Sequence, residues 1–212
     1  MKGLKTLAIF CFALFLSSCG DGFQYVTIET DLGDMKFKLY NSTPQHRDNF
    51  IKLAKEGYYD DLLFHRVISG FMAQGGDPNS KDAGPGVRLG TGGPGYKVPA
   101  EIGAPHFKGT LAAARDGNPQ KASSGSQFYI VQGSKVTDRQ IKGVEQKWGI
   151  TYSDAQKEKY KTLGGTIGLD MDYTVFGEIV EGMEVIDKLC TVEKNGDNRP
   201  IEDIKMKVKV SK

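Results

Sequence analysis

Cysteine is scarce in this chain of 212 residues, which contains only Cys11, Cys19 and Cys190. Cys11 lies in an apolar leader, and Cys19 is a candidate for lipid attachment. One thiol is then left, and a single cysteine cannot form an internal disulfide. Cys190 closes an apolar helical pattern, which is typical of a buried small side chain rather than of a nucleophile.

Long hydrophobic runs and an excess of charge are also missing. The apolar run from Leu7 to Leu16 spans about ten residues, whereas a membrane-spanning helix needs about 17 to 25. With Lys2 and Lys5 before it, the run is typical of a signal peptide. Removing the leader leaves 26 basic residues against 26 acidic ones. A nearly neutral chain does not favour nucleic acid as a partner.

Motifs for phosphate and metal binding are absent from the sequence. The glycine-rich stretch 75–96 contains no Gly-Lys-Ser/Thr element and no glycine run that leads from a strand into a helix, so it predicts a long loop. His46, His65 and His106 are scattered and lack the cysteine or carboxylate spacing of a zinc site. We therefore expect neither a cofactor nor a metal, and we interpret His65 as a packed structural residue.

The tetrad Leu16-Ser17-Ser18-Cys19 resembles the lipobox of bacterial lipoproteins, in which the cysteine becomes a lipidated N-terminus. A thioether lipid plus an N-acyl chain suffices for stable membrane attachment. The alternative is ordinary secretory cleavage near Ser18. The resemblance implies a signal peptide at 1–18, a lipidated tether at 19–23 and a folded domain at 24–212. It places the protein in a bacterial cell envelope, anchored by lipid at Cys19 and facing the periplasm or the cell surface.

Most of the chain has the pattern of strands. Residues 25–30 and 35–40 alternate in polarity around a glycine-containing turn and predict a β-hairpin. Further strands are expected at 109–114, 127–132, 173–180 and 204–210, and Thr43-Pro44 begins an amphipathic helix. Many strands and few helices indicate a mainly β domain, an antiparallel barrel or sandwich.

Residues 137–164 interrupt this rhythm and predict a helical insert. Thr137 with Gln140 and Ser153 with Gln156 form two capping boxes, each of which starts a helix. Gly164 is placed to end the second helix. Trp148 lies between the two helices, where it either secures the helical hairpin to the body or lines a site.

The segment 64–77 sets an arginine and a glutamine among large apolar residues. Read as a strand, it places Phe64, Arg66 and Ile68 on one face, so Arg66 emerges from an apolar surface. A guanidinium in that setting keeps its charge and its fork of donors. The pattern predicts a binding site at Arg66 and Gln74.

Four motifs together resemble the cyclophilins, the peptidyl-prolyl isomerases of the cyclosporin-binding type. They are Phe64-His65-Arg66-Val67-Ile68, the stretch from Gly70 to Asp77, Ser124-Gly125-Ser126-Gln127-Phe128-Tyr129-Ile130, and Val175-Phe176-Gly177. The resemblance extends from about Gln24 to Val210. It implies a closed eight-stranded antiparallel β-barrel capped by two helices, 43–56 and 183–189, to which the insert at 137–164 is added.

The resemblance also implies roles for individual residues. Arg66 takes the place of the catalytic arginine and Gln74 that of the glutamine that orients it. The remaining substrate-binding positions are Phe71, Met72, Ala114, Gln127, Tyr129, Leu169 and Tyr173. Animal members typically have Phe at the position of Tyr129 and His at that of Tyr173. Gly168 stands where many members have a tryptophan that contacts cyclosporin, so we expect weak cyclosporin binding with isomerase activity retained.

The expected partners are proline-containing peptides and unfolded exported proteins, and we expect a monomer. The implied reaction is rotation about X-Pro bonds, with Arg66 stabilising the twisted imide. Two other functions remain open at this point. One is a chaperone module that binds proline segments with little catalysis. The other is a structural envelope lipoprotein, in which Arg66 would make an internal salt bridge.

Overall fold

The computed structural model describes residues 22–211 of the chain. The predicted leader and the lipidation site Cys19 therefore lie outside the described residues. Strands dominate, as the alternating sequence predicts, and the four longer ones lie where they are expected. The strands are β1 (Gln24–Thr30), β2 (Gly33–Leu39), β3 (Leu62–Leu63), β4 (Arg66–Ile68), β5 (Met72–Gly75), β6 (Lys97–Val98), β7 (Thr110–Ala113), β8 (Ser123–Ser124), β9 (Phe128–Val131), β10 (Val175–Glu181) and β11 (Lys205–Ser211).

The described residues form four α-helices: α1 (Pro44–Lys55), α2 (Asp138–Trp148), α3 (Asp154–Thr162) and α4 (Met183–Thr191). Proline occupies the first turn of α1, as the sequence indicates, but the Thr43 side chain does not cap that helix. The Glu101 carboxylate accepts the backbone N–H groups of Gln45 and His46 instead, at 3.1 and 3.0 Å. None of the helices within 22–211 is long and apolar enough to cross a bilayer.

Nine strands form one antiparallel sheet in the order β3-β11-β1-β2-β10-β7-β9-β5-β4, and β6 pairs separately with β8. The two edges of the large sheet, β3 and β4, are separated in sequence only by Phe64 and His65. The sheet is therefore curled until its edges nearly meet. The expected antiparallel β architecture is confirmed, whereas eight strands in a closed ladder are not: the sheet has nine strands, and within 22–211 β3 and β4 do not pair.

The interruption between β3 and β4 corrects a prediction about faces. Phe64 does not share the face of Arg66 and Ile68, because the strand breaks at residues 64 and 65. Phe64 lies in the interior of the curled sheet, where its ring packs edge-on against Phe128 with centroids 6.2 Å apart. The outer edge of β4 is covered by the C-terminal loop, since Val67 N donates to Asn198 O at 2.8 Å.

Strands β5, β7 and β9 bury side chains on both faces. Ala73, Leu111 and Ile130 point inward to the main core, which α1 and α4 close with residues such as Phe50 and Ile186. The alternate residues form a second cluster on the outer face, as the two-residue period of a strand requires. The buried members of that cluster are Met72, Ala112, Tyr129, Val131 and Val175.

The helical insert has the limits that the sequence predicts, and both capping boxes are present. Its ends meet at a narrow base, where Ser134 and Gly165 exchange backbone hydrogen bonds of 3.2 and 2.9 Å. Gly165 has no room for a side chain, because a Cβ there would overlap the carbonyl oxygen of His106. The insert packs onto the body through its own small cluster of Phe107, Val136, Ile141, Tyr152, Tyr160 and Ile167.

Candidate active site

A row of residues across four neighbouring strands forms one side of the candidate site. Arg66 on β4 lies opposite Gln74 on β5, Gln74 lies opposite Tyr129 on β9, and Tyr129 lies opposite Ala112 on β7. Because directly opposed residues of antiparallel strands project to the same face, the register alone brings these side chains together. This row and its neighbours, residues 66–74, 112–114 and 127–131, are called the sheet side below.

Hydrogen bonds fix the polar members of the sheet side in a chain. Arg66 Nη1 donates to Gln74 Oε1 at 3.2 Å, and Gln74 Nε2 donates to Gln127 Oε1 at 3.0 Å. Gln127 Nε2 in turn donates to the Gly92 carbonyl at 2.8 Å. Both amide orientations are thereby set, and the Arg66 guanidinium is held by a neutral acceptor.

Arg66 keeps most of its donors available for a ligand. It is partly exposed, and within the described residues it forms no ion pair with a carboxylate. A guanidinium has five N–H donors, of which one bonds to Gln74. The structural-lipoprotein hypothesis required an internal salt bridge at Arg66, and the described part of the chain contains none.

A small hollow of about 100 Å³ lies over this row. Its wall contains eight of the nine side chains that the resemblance assigned to the site. Gln127 is the exception: it lines an adjoining cavity of about 710 Å³, which also contains Gln74 and Ala114 in its wall. The hollow is lined by Arg66, Phe71, Met72, Gln74, Ala114, Arg115, Tyr129, Leu169 and Tyr173.

The other side of the hollow is formed by residues 167–173, called the corner below. Leu169 ends a short 3-10 helix, and Tyr173 meets Tyr129 edge-on with ring centroids 5.9 Å apart. Gly168 is exposed, and a Cβ built on it meets no atom within 4 Å, so this position is open to a larger side chain.

Trp148 does not line the hollow. Its ring lies 4.4 Å from Lys121 Nζ and 4.4 Å from Lys147 Nζ. Lys121 donates to Met171 O at 2.7 Å and pairs with Asp172 at 3.0 Å. Of the two interpretations of Trp148, the structure thus supports contact between the insert and the body, made through a lysine rather than through an apolar core.

Arg115 is a site residue that the sequence interpretation missed. Its guanidinium lies 4.6 Å from the Tyr173 ring centroid, and its Nε donates to the Asp172 carbonyl at 2.8 Å. Arg115 therefore brings a second positive charge to the rim of the hollow. Its place directly after Ala114, which the resemblance did assign, was the available signal.

His106 and Asp170 are two further residues that the sequence did not single out for the site. Both are buried, at 0% and 3% exposure, and His106 Nε2 lies 2.9 Å from the Tyr129 hydroxyl. Burial, together with the neighbouring Tyr173 and the Asp170 carboxylate, raises the pKa of Tyr129 well above its usual value. Tyr129 is therefore a neutral phenol. Within residues 22–211, no group of three or more His, Cys, Asp or Glu side chains is arranged to hold a metal ion.

Comparison with known proteins agrees with this geometry. A sequence model of the family "Cyclophilin type peptidyl-prolyl cis-trans isomerase/CLD" matches residues 25–210. A protein of Staphylococcus aureus (strain USA300) that carries the name peptidyl-prolyl cis-trans isomerase is 36% identical over 181 residues, which cover 84% of this chain and 87% of the relative. A counterpart in Staphylococcus epidermidis is 33% identical over 181 residues, which again cover 84% of this chain and 87% of the relative.

Solved structures show the same fold. The crystal structure of a cyclophilin-type peptidyl-prolyl cis-trans isomerase of Cryptosporidium parvum has a TM-score of 0.64 and 28% identity, and covers 90% of this chain and 98% of its own. A structure of the same protein in the presence of the dipeptide Ala-Pro has a TM-score of 0.63 and 27% identity, with shares of 89% and 99%. The chain belongs to the cyclophilin-type peptidyl-prolyl cis-trans isomerases, as the sequence motifs predict.

Proposed function

We propose that the hollow binds the proline ring of an X-Pro segment and that Arg66 catalyses rotation about the imide bond. The single observation that carries the proposal is Arg66 itself, which is held on an apolar wall by Gln74 and has donors left over. The structure of the Cryptosporidium relative with Ala-Pro supports proline as the ligand.

The chemistry of the imide explains why a donor at this point accelerates rotation. In the planar bond the proline nitrogen shares its lone pair with the carbonyl and accepts hydrogen bonds poorly. In the twisted bond the lone pair is localised, so a charged donor binds it more strongly. A bond that forms mainly in the transition state raises kcat without tightening substrate binding. At about 1.4 kcal/mol for each tenfold in rate, an interaction on the order of 3 kcal/mol gives about a hundredfold.

The rest of the hollow holds the substrate while the bond turns. Phe71, Met72, Tyr129 and Leu169 form an apolar wall for the pyrrolidine ring, and Gln74 is placed to fix the carbonyl that precedes it. Holding both ends of a rotating bond in position lowers the entropic part of the barrier. The reaction moves no proton and forms no covalent intermediate, so it calls for no cofactor.

The test is an isomerisation assay on a short X-Pro peptide with the full-length protein and its Arg66→Ala variant. We expect kcat/KM to fall about a hundredfold. Arg139→Ala, which removes an exposed arginine from α2, is the matched control and should behave as wild type. Equal rates for Arg66→Ala and wild type would reject the mechanism. A wild-type protein that binds the peptide without accelerating rotation would favour the chaperone alternative.

In the cell, we propose that the protein assists the folding of exported proteins as a monomer anchored by lipid at Cys19. The lipobox and the apolar leader support this location. Wild-type protein should fractionate with membranes, and Cys19→Ala should be released or remain uncleaved. A Cys19→Ala protein that is cleaved like the wild type and still fractionates with membranes would contradict lipid anchoring.

A further inference from the structure

The Asp170 carboxylate is the centre of a buried network that joins the insert to the corner. Its Oδ1 accepts the backbone N–H and the Nδ1–H of His106, both at 2.8 Å. Its Oδ2 accepts the hydroxyl groups of Tyr152 at 2.5 Å and Tyr160 at 2.6 Å. Tyr160 belongs to α3, and Tyr152 lies just before that helix. The insert thus supplies two of the four donors to this carboxylate.

The direction of each hydrogen bond follows from the chemistry of the groups. An ionised carboxylate only accepts, so the proton of His106 lies on Nδ1. In a neutral imidazole the other nitrogen is then an acceptor, and Tyr129 must donate its hydroxyl proton to His106 Nε2 at 2.9 Å. Burial, with the Asp170 carboxylate nearby, also raises the pKa of Tyr152 and of Tyr160, which keeps both as donors.

The same network touches the hollow at three points. It ends on Tyr129, whose ring stacks parallel to His106 with centroids 6.0 Å apart. Tyr173 packs edge-on against both rings. Asp170 directly follows Leu169, so holding Asp170 also holds that side of the wall. Buried networks in which every member is satisfied have one favoured arrangement, and they orient their members more strictly than apolar packing does.

We propose that Tyr152 and Tyr160 of the insert are positioning residues of the isomerase site, acting on Tyr129 and Leu169 through Asp170 and His106. This inference rests on the hollow being the proline site. It assigns the insert a role in preorganising the pocket. Family members with Phe at this position lack the hydroxyl of Tyr129. In this chain that hydroxyl bonds to His106, which the insert helps to hold through Asp170.

The alternative is that the two phenols stabilise only the insert. A double-mutant cycle distinguishes these roles, because residues that act through one network have effects that are not additive. The variants are Tyr152→Phe with Tyr160→Phe, Tyr129→Phe, and all three changes together, in the full-length protein. Each Tyr→Phe change keeps the ring and removes one hydroxyl, so apolar packing is retained. Ser153→Ala is the matched control, because it removes the α3 cap without removing a donor to Asp170.

We expect the pair Tyr152→Phe and Tyr160→Phe to lower kcat about fivefold to tenfold with KM nearly unchanged. In the Tyr129→Phe background the same pair should lower kcat less than it does in the wild type, because the route through His106 to Tyr129 is already cut and only the route through Leu169 is left. Ser153→Ala should leave kcat within about twofold of wild type. Equal effects of the pair in both backgrounds, or an equal loss in Ser153→Ala, would overturn the proposal.

A spectroscopic measurement tests the network independently of catalysis. The ring nitrogens of His106 should report the Nδ1–H tautomer by NMR in the wild type, and their shifts should move in the paired variant and in Tyr129→Phe but not in Ser153→Ala. An Nε2–H tautomer of His106 would overturn the network even in an active enzyme. Nitrogen shifts that do not change when Tyr152 and Tyr160 are replaced would do the same. A protein with the expected tautomer that did not isomerise X-Pro bonds would instead overturn the proposed function.

Discussion

The two sides of the hollow are held by different forces. The sheet side is positioned by strand register, with Arg66, Gln74 and Tyr129 in one row of paired residues. The corner contains no strand, and its position depends on Asp170, a carboxylate with four donors. Backbone pairing tolerates the loss of any one side chain, whereas a buried polar centre does not. The corner is therefore the more vulnerable half of the site.

Two buried histidines show the same contrast. His65, beside the sheet side, is 4% exposed, and in the described structure neither ring nitrogen has a side chain as hydrogen-bond partner. His106, at the corner, is fully buried and has a partner at each nitrogen. His65 is tolerated because it stays neutral: burial lowers its pKa to about 4. The orientation of the His106 ring is fixed by hydrogen bonds to Asp170 and Tyr129.

The largest expected effect is on stability at the corner. Asp170→Ala leaves the donors of His106, Tyr152 and Tyr160 buried without an acceptor, and we expect a loss of about 3–5 kcal/mol in the free energy of unfolding. Urea denaturation measures it. Asp116→Ala, which removes an exposed carboxylate at the rim of the adjoining cavity, is the control and should leave the midpoint near that of wild type. Similar denaturation midpoints for the two variants would contradict the inference that the corner depends on the Asp170 carboxylate.

The next largest expected effect is a dependence of the free energy of unfolding on pH, caused by the titration of His65. In the unfolded chain the pKa of histidine is about 6.5, and in the folded protein that of His65 is about 4. The unfolded state therefore binds a proton first, so stability is complete above about pH 6.5 and falls as the pH drops towards 4, by up to about 3 kcal/mol. His65→Gln should lose this part of the pH dependence. The measurement is the free energy of unfolding of the wild type and of His65→Gln between pH 7 and pH 4.5. If it falls equally in the two proteins, His65 does not titrate in this way.

The smallest expected effect concerns cyclosporin at the corner. Gly168→Trp places an indole donor in open space beside the hollow, and we expect cyclosporin A to bind about tenfold more tightly than to wild type, as one added hydrogen bond allows. Titration calorimetry measures the change. Gly168→Phe adds a ring without a donor and is the matched control. Equal gains for Trp and Phe would assign the effect to ring packing, and nanomolar binding to the wild type would show that the indole is not needed.

The sheet side was largely predictable from sequence, because most of its residues lie in two contiguous motifs that pair with each other. Arg66 and Gln74 are separated by one hairpin, and Tyr129 follows Gln127 in a strand of apolar residues. The error at Phe64 came from assuming one continuous strand through residues 64–68. Local alternation cannot reveal where a sheet edge breaks, because the break depends on pairing partners that are distant in sequence.

The corner was predictable only in part. Leu169 and Tyr173 follow from the resemblance, and the limits of the insert follow from its two capping boxes, which are local signals. Asp170 lies in an acidic, surface-like stretch, and nothing near it in sequence indicates a buried carboxylate. Its partners come from positions 106, 152 and 160, so only the assembled fold shows that these residues belong together.

The narrow base of the insert has a consequence for how the family can vary. Ser134 and Gly165 hydrogen-bond each other, so the chain leaves and rejoins the body at one point. A shorter homologue joined across that point would keep the backbone path of the body. Its Asp170 carboxylate would be left buried with two of its four donors missing, because Tyr152 and Tyr160 belong to the insert. Deletion of this segment should therefore be accompanied by a change at position 170, a pairing that separate lineages can reveal without any experiment on this protein.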